Sequence, residues 1–269
     1  MITEWSCTAS LSTEIIRTRT KGSPIRAGVR IGLLVLLLAI VGPIHIVTRR
    51  LFGASAWPQR FLAAAAWILG ARPRLSGCKL GPHTLLISNH VSWLDILVMG
   101  GSTGTAFVSK DDLGHGLFHW LADQNATVYV RREHARGAKD QAVMVARALE
   151  RGKALTLFPE GTTGPGTHLL PFRSTLLEAA AYAEKDVEIR AVALDYGSAA
   201  AEIAWHHEPG KENILRILGR KGTLPVTINL LPPLQRNGDR KALAHAARKV
   251  IAETLASSRS ATPLYPDAT

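Results

Sequence analysis

Hydrophobic and polar positions divide this chain into two unlike parts. Near the amino terminus, the sequence reads Ile-Gly-Leu-Leu-Val-Leu-Leu-Leu-Ala-Ile-Val-Gly from Ile31 to Gly42. It continues uncharged through Pro43 to Val47. That core falls short of the ~20 apolar residues a spanning helix needs. It is read as an apolar membrane-associated helical segment that re-enters or lies shallowly. Arg26 and Arg30 precede it and Arg49 and Arg50 follow, so charge gives no orientation. Pro43 is expected to bend or end the helix. Phe61–Leu69 is a second apolar stretch, expected to pair with the first as a helical hairpin. Ala54-Ser55-Ala56 has the look of a signal cleavage site, but it lies more than 50 residues from Met1, whereas such sites fall at about 15–30. A buried core helix is the other reading. Membrane attachment is preferred because Ile31–Pro43 carries no strongly polar side chain.

From Leu85 onward the pattern changes to short β-rich runs alternating with helical ones. Strands are expected at Thr84–Ser88, Thr105–Ser109, Thr127–Val130, Ala154–Phe158, Val187–Leu194 and Val226–Leu230. Helices are expected at Ser92–Met99, Lys139–Arg151, Ser174–Ala183 and from Arg240 to Ser257. This alternation predicts an α/β fold with a largely parallel central sheet flanked by helices. The expected organisation is a membrane-associated helical region at 1–75, an α/β domain at 76–258 and a loosely ordered tail at 259–269.

Composition narrows the class. The chain has 269 residues, 46% hydrophobic and 20% charged, which is globular rather than disordered. Its two cysteines, Cys7 and Cys78, have no metal or disulfide spacing and fit a reducing compartment. The net charge of +11 attracts polyanions. No nucleic-acid-binding signature is present, and the basic residues are spread along the chain. A membrane surface is therefore preferred to nucleic acid.

Two motifs carry candidate chemistry. Asn89-His-Val-Ser-Trp-Leu-Asp95 places His90 five positions before Asp95. Histidine can take a proton from a hydroxyl near neutral pH, and a carboxylate can fix its tautomer. Five residues do not align on one helix face. The pair therefore meets only if His90 lies in a loop and Asp95 in the first helical turn. Ser92-Trp-Leu-Asp95 matches a capping box with Ser92 as N-cap, which turns Asp95 back toward that loop. The plainer reading is a capping box with an incidental histidine. The second motif is Phe158-Pro-Glu-Gly-Thr-Thr163. Gly161, Gly164 and Gly166 permit sharp turns, and Glu160, Thr162 and Thr163 can bond a polar headgroup. Its plainer reading is an ordinary strand-to-helix turn. Both motifs follow strands, where open α/β sheets place their ligands.

In these residues the chain resembles the glycerolipid acyltransferases of the lysophosphatidic acid acyltransferase type. Asn89-His90-x-Ser92-x-x-Asp95 matches the first motif of that family, and Phe158-Pro-Glu-Gly-Thr162 matches the third. Between them lie Lys110 in Phe107-Val-Ser-Lys and Arg132 in Tyr129-Val-Arg-Arg. The resemblance covers about residues 80–235. Two positions depart from the pattern: Thr163 stands where the third motif commonly has arginine, and Ala191 replaces a proline of the fourth. Threonine at 163 is similar to the branch that acylates lyso-ornithine lipids.

The resemblance implies transfer of a fatty acyl group from acyl carrier protein or coenzyme A to a lysolipid hydroxyl. The acceptor is a 1-acylglycerol-3-phosphate or a lyso-ornithine lipid. His90 is implied as general base, oriented by Asp95. Asn89, Ser92, Lys110, Arg132, Glu160, Gly161, Thr162, Thr163 and Arg173 are implied around the substrates. It also implies membrane lipids as partners, no cofactor beyond the acyl thioester co-substrate, and a place at the cytoplasmic membrane with the site facing the cytoplasm. One rival class is a metal-dependent hydrolase using His115 and His119, spaced i, i+4 but lacking the Glu of His-Glu-x-x-His. Another is a non-catalytic lipid-binding protein of the same fold.

Overall fold

The computed structural model describes residues 22–110, 116–130, 143, 145–149, 152, 154–178, 187–235 and 239–261. Two helices come first, α1 at Pro24–Phe52 and α2 at Trp57–Ile68. The Ser23 side chain caps α1 by accepting the Arg26 N–H at 3.4 Å. The helix stops at Gly53, whose φ of 71° lets its N–H reach the Arg49 carbonyl. It does not end at Pro43 but runs through it. Polar anchors on either side of the proline account for this. Buried Arg30 donates to the carbonyls of Ile217, Leu218 and Arg220. His45 lies 2.8 Å from Ser55 Oγ and 3.1 Å from Gln124 Oε1. With both halves held, the one N–H that proline removes does not break the helix.

At 1.5 Å per residue α1 is about 44 Å long, and its length and apolarity suffice to cross a membrane. The uncharged core alone implied a shorter element. Val29, Val35, Leu36, Val47, Leu51 and Phe52 leave much of its apolar surface exposed. α2 packs on α1, giving the expected helical pair.

Among the described residues the sheet has seven strands: β1 (Ala71–Gly77), β2 (Thr84–Ser88), β3 (Ala106–Lys110), β4 (Val128–Val130), β5 (Leu155–Leu157), β6 (Glu188–Asp195) and β7 (Leu224–Pro233). Their order is β1-β7-β6-β2-β5-β3-β4. Among the described strands only β6 and β7 pair antiparallel. Further helices with both ends among the described residues are α3 (Leu94–Thr103), α4 (Leu117–Gln124), α5 (Ala200–Ile203), α6 (Gly210–Gly219) and α7 (Arg240–Ala261).

Side-chain alternation splits the core into two layers. Leu86, Val192 and Leu194 join Leu94, Val98 and Met99 of α3 on one face. Leu85, Ile87, Ala191 and Ala193 meet Leu243, Ala247 and Ile251 of α7 on the other. β2 is buried at every position, as a central strand covered on both faces must be. On α3, a Cβ at Gly101 would stand 2.5 Å from the Ala63 backbone nitrogen. Glycine there is what lets α2 pack down on α3.

The α/β class and the largely parallel sheet hold. β1, α4, α5 and α6 were not expected. A helix is expected over Ser174–Ala183; Ser174–Leu177 forms a 3-10 turn that passes into α-helix at Glu178, and residues 179–186 lie outside the described residues. Of Lys139–Arg151, residues 143 and 145–149 are helical, and 139–142, 144, 150 and 151 lie outside. The tail from 262 also lies outside.

Candidate active site

β2 pairs in parallel with both β5 and β6. The chain therefore leaves all three strands at the same end of the sheet, and the two motifs meet there. Asn89 fixes the first motif to β6. Its Nδ2 donates to the Leu194 carbonyl at 3.0 Å, and its Oδ1 accepts the Leu194 N–H at 2.8 Å. The side chain thus extends the β2–β6 ladder by one rung made from an amide.

His90 then sits in the loop and Asp95 in the first turn of α3, as the five-residue spacing required. His90 Nδ1 lies 2.8 Å from Asp95 Oδ2. Asp95 is fully buried, and the same oxygen accepts the N–H groups of Val91 at 2.6 Å and Ser92 at 3.0 Å. Its Oδ1 accepts the Tyr196 hydroxyl at 2.6 Å. A carboxylate can only accept, so Nδ1 carries the proton and Nε2 presents its lone pair. Burial first, and then the Asp95 charge, push the Tyr196 phenol well above its usual range. The hydroxyl therefore stays protonated and keeps donating.

Only half of the capping box forms. Asp95 accepts the Ser92 N–H, but Ser92 Oγ accepts from Leu94 N at 3.4 Å rather than from Asp95 N. The second motif holds the ring and the loop. Phe158 stacks on the His90 imidazole with centroids 4.1 Å apart and planes at 16°. Glu160 Oε1 accepts the His90 N–H at 2.8 Å, and Oε2 accepts the Leu170 N–H at 2.9 Å. Burial raises the Glu160 pKa, opposed by those two backbone donors. Gly164 N–H donates to the His90 carbonyl at 2.7 Å.

The side chains expected near substrate fall into groups. His90 and Glu160 line a cavity of about 250 Å³, as does Asn89. The Asn89 amide and both Glu160 oxygens are engaged by backbone. Ser92 is buried beneath the site. Gly161 turns the loop with φ 70°. Thr162 is exposed beside it. The Thr163 hydroxyl donates to the Trp205 carbonyl and so braces the loop. Arg173 is exposed, and its N–H donates to the Pro159 carbonyl at 2.8 Å. Lys110 ends β3. Arg132 lies outside the described residues, as does His115. His119 pairs with Asp123 at 3.2 Å and stacks on Tyr129. Among the described residues no group of three His, Cys, Asp or Glu is placed to hold a metal.

Four contributors were missed in the sequence: Tyr196, Phe158 as a ring support, Leu194 as the Asn89 partner, and Asp195 in the cavity wall. The available signal was the position of residues 194–196 at the carboxyl end of a buried strand.

The family model described as Acyltransferase matches residues 74–195. The chain is 31% identical to a lyso-ornithine lipid O-acyltransferase of Pseudomonas aeruginosa, over 84% of this chain and 91% of that one. It is 34% identical to a lyso-ornithine lipid O-acyltransferase of Rhizobium meliloti, over 66% of this chain and 64% of that one. The crystal structure of the 1-acyl-sn-glycerophosphate acyltransferase PlsC from Thermotoga maritima superposes with a TM-score of 0.60 at 17% identity. It covers 88% of this chain and 99% of its own, a likeness of fold. The first-motif loop, the second-motif turn and the sheet that joins them all fall inside or beside the matched region, and the chain belongs to the acyltransferase family as an O-acyltransferase.

Proposed function

We propose that this protein transfers a fatty acyl group from acyl carrier protein or coenzyme A to the hydroxyl of a lyso-ornithine lipid, with His90 as general base. The observation that carries the reading is the His90 Nδ1–Asp95 Oδ2 contact of 2.8 Å at the cavity wall, which leaves Nε2 able to take a proton. In the proposed step the acceptor hydroxyl gives its proton to Nε2 as its oxygen bonds to the thioester carbonyl carbon. Asp95 stabilises the imidazolium. The tetrahedral intermediate then breaks its C–S bond, and the imidazolium proton goes to the departing thiolate. Thiol and O-acyl lipid leave, and no acyl-enzyme is needed because the site holds both reactants together.

Three observations support the finer parts. The Pseudomonas aeruginosa relative, matched over 91% of its length, is named for lyso-ornithine lipid. The Thr163 hydroxyl is tied to Trp205, so this position offers no cation to a phosphate. The exposed apolar face of α1 and the net charge of +11 suit an anionic bilayer. A cavity of about 250 Å³ beside His90 has room for a polar headgroup and the reacting atoms rather than for two acyl chains.

The test is acyl transfer by the purified full chain in lipid vesicles, with labelled acyl thioester and either lyso-ornithine lipid or 1-acylglycerol-3-phosphate. The expected product is doubly acylated ornithine lipid, at a kcat/KM well above that for the phosphate acceptor. Preference for the phosphate acceptor would overturn the acceptor assignment. A chelator is expected to leave turnover unchanged.

A further inference from the structure

The cavity beside His90 extends over the sheet end to α7, and its wall carries charges of both signs. Arg248 and Arg259 of α7 line it. Each also holds the loop after β5. Arg248 donates to the Leu169 and Leu170 carbonyls, and Arg259 to those of Gly166 and Thr167. These bonds engage only part of each guanidinium's five donors. The carboxylates in the wall are Glu160 and Asp195. Both Glu160 oxygens accept backbone N–H groups. Asp195 differs: its Oδ1 accepts the Gly197 N–H at 2.8 Å, and its Oδ2 has no partner among the described residues.

Asp195 ends β6. Alternation along that strand puts it on the same face as Ala191 and Ala193, which is the face α7 covers. Its neighbours Leu194 and Tyr196 belong to the opposite layer, where Tyr196 reaches Asp95. One turn of chain thus serves the proton-transfer pair on one side and presents a half-buried carboxylate to the cavity on the other.

Such a wall discriminates between headgroups. A phosphate monoester is anionic throughout: Arg248 and Arg259 attract it, but it repels the Asp195 carboxylate and leaves it unpaired. An ornithine headgroup carries a carboxylate and, at the end of its side chain, an ammonium. We infer that Asp195 Oδ2 binds the side-chain ammonium of a zwitterionic amino-acid headgroup, with Arg248 and Arg259 facing its carboxylate. This rests on the acceptor assignment above and names the residue that enforces it.

The test compares lyso-ornithine lipid with its δ-N-acetyl derivative, which keeps the reacting hydroxyl and the carboxylate but loses the ammonium. The wild-type chain should favour the ammonium form by about tenfold to a hundredfold in kcat/KM, the range for one hydrogen bond to a charged group. Asp195→Asn keeps Oδ1 for Gly197, so the turn is preserved, and the preference should fall close to unity. An undiminished preference in Asp195→Asn would overturn the inference while leaving the acceptor assignment standing. A wild-type chain that uses 1-acylglycerol-3-phosphate and not lyso-ornithine lipid would overturn both.

Discussion

Asp95 accepts four hydrogen bonds, from His90, Val91, Ser92 and Tyr196, in a fully buried position. Three of those donors lie within five residues of it, and the fourth is 101 residues away. That asymmetry explains what the sequence disclosed. The His90–Asp95 pair was legible because loop and first turn bring it together locally. Tyr196 was not, because only the β2–β6 pairing delivers it. Tyr196→Phe should leave Asp95 Oδ1 without its donor. Stability should fall by about 1–3 kcal/mol, the cost of an unsatisfied buried acceptor, as read from urea midpoints. Because Tyr196 acts through Asp95, kcat should fall by about tenfold while KM holds. A parallel loss in both parameters would place Tyr196 on the substrate instead.

Among elements, the loops after β2 and β5 behave as one body. Glu160 joins His90 to Leu170, Gly164 returns to His90, and Phe158 supports the imidazole. Burial raises the Glu160 pKa, so folding favours its protonated form. That contribution to stability is complete below the ordinary carboxylate value of 4.5 and is lost as pH rises through the higher folded value. Glu160→Gln removes the titration, and its stability should vary less with pH in that window than the wild type's. Identical pH profiles of urea midpoints would contradict this. Strands such as β2 and β6 were readable as apolar runs. β1 was not, because Ala-Arg-Pro-Arg-Leu-Ser-Gly has no β-branched or aromatic residue and holds Pro73, which an edge strand tolerates. The uncharged core of α1 understates its length. Its basic ends, Arg26 with Arg30 and Arg49 with Arg50, are helical too, and Arg26 and Arg30 dock on α6.

At the scale of the whole molecule, an apolar helix, a strongly basic chain and a cavity at the sheet's carboxyl end form one arrangement. Composition disclosed the charge, and hydropathy disclosed the helix. The route from His90 across β6 to α7 depends on strand order, which no local pattern carries. The central claim is that His90 removes the acceptor's proton during acyl transfer. Single-turnover acyl transfer from labelled thioester to lyso-ornithine lipid, comparing wild type with His90→Ala in vesicles, tests it most directly. Loss of general-base catalysis predicts a rate lower by about 10²–10⁴-fold, with vesicle binding retained through α1. A His90→Ala chain that transfers acyl groups at close to the wild-type rate would contradict the account.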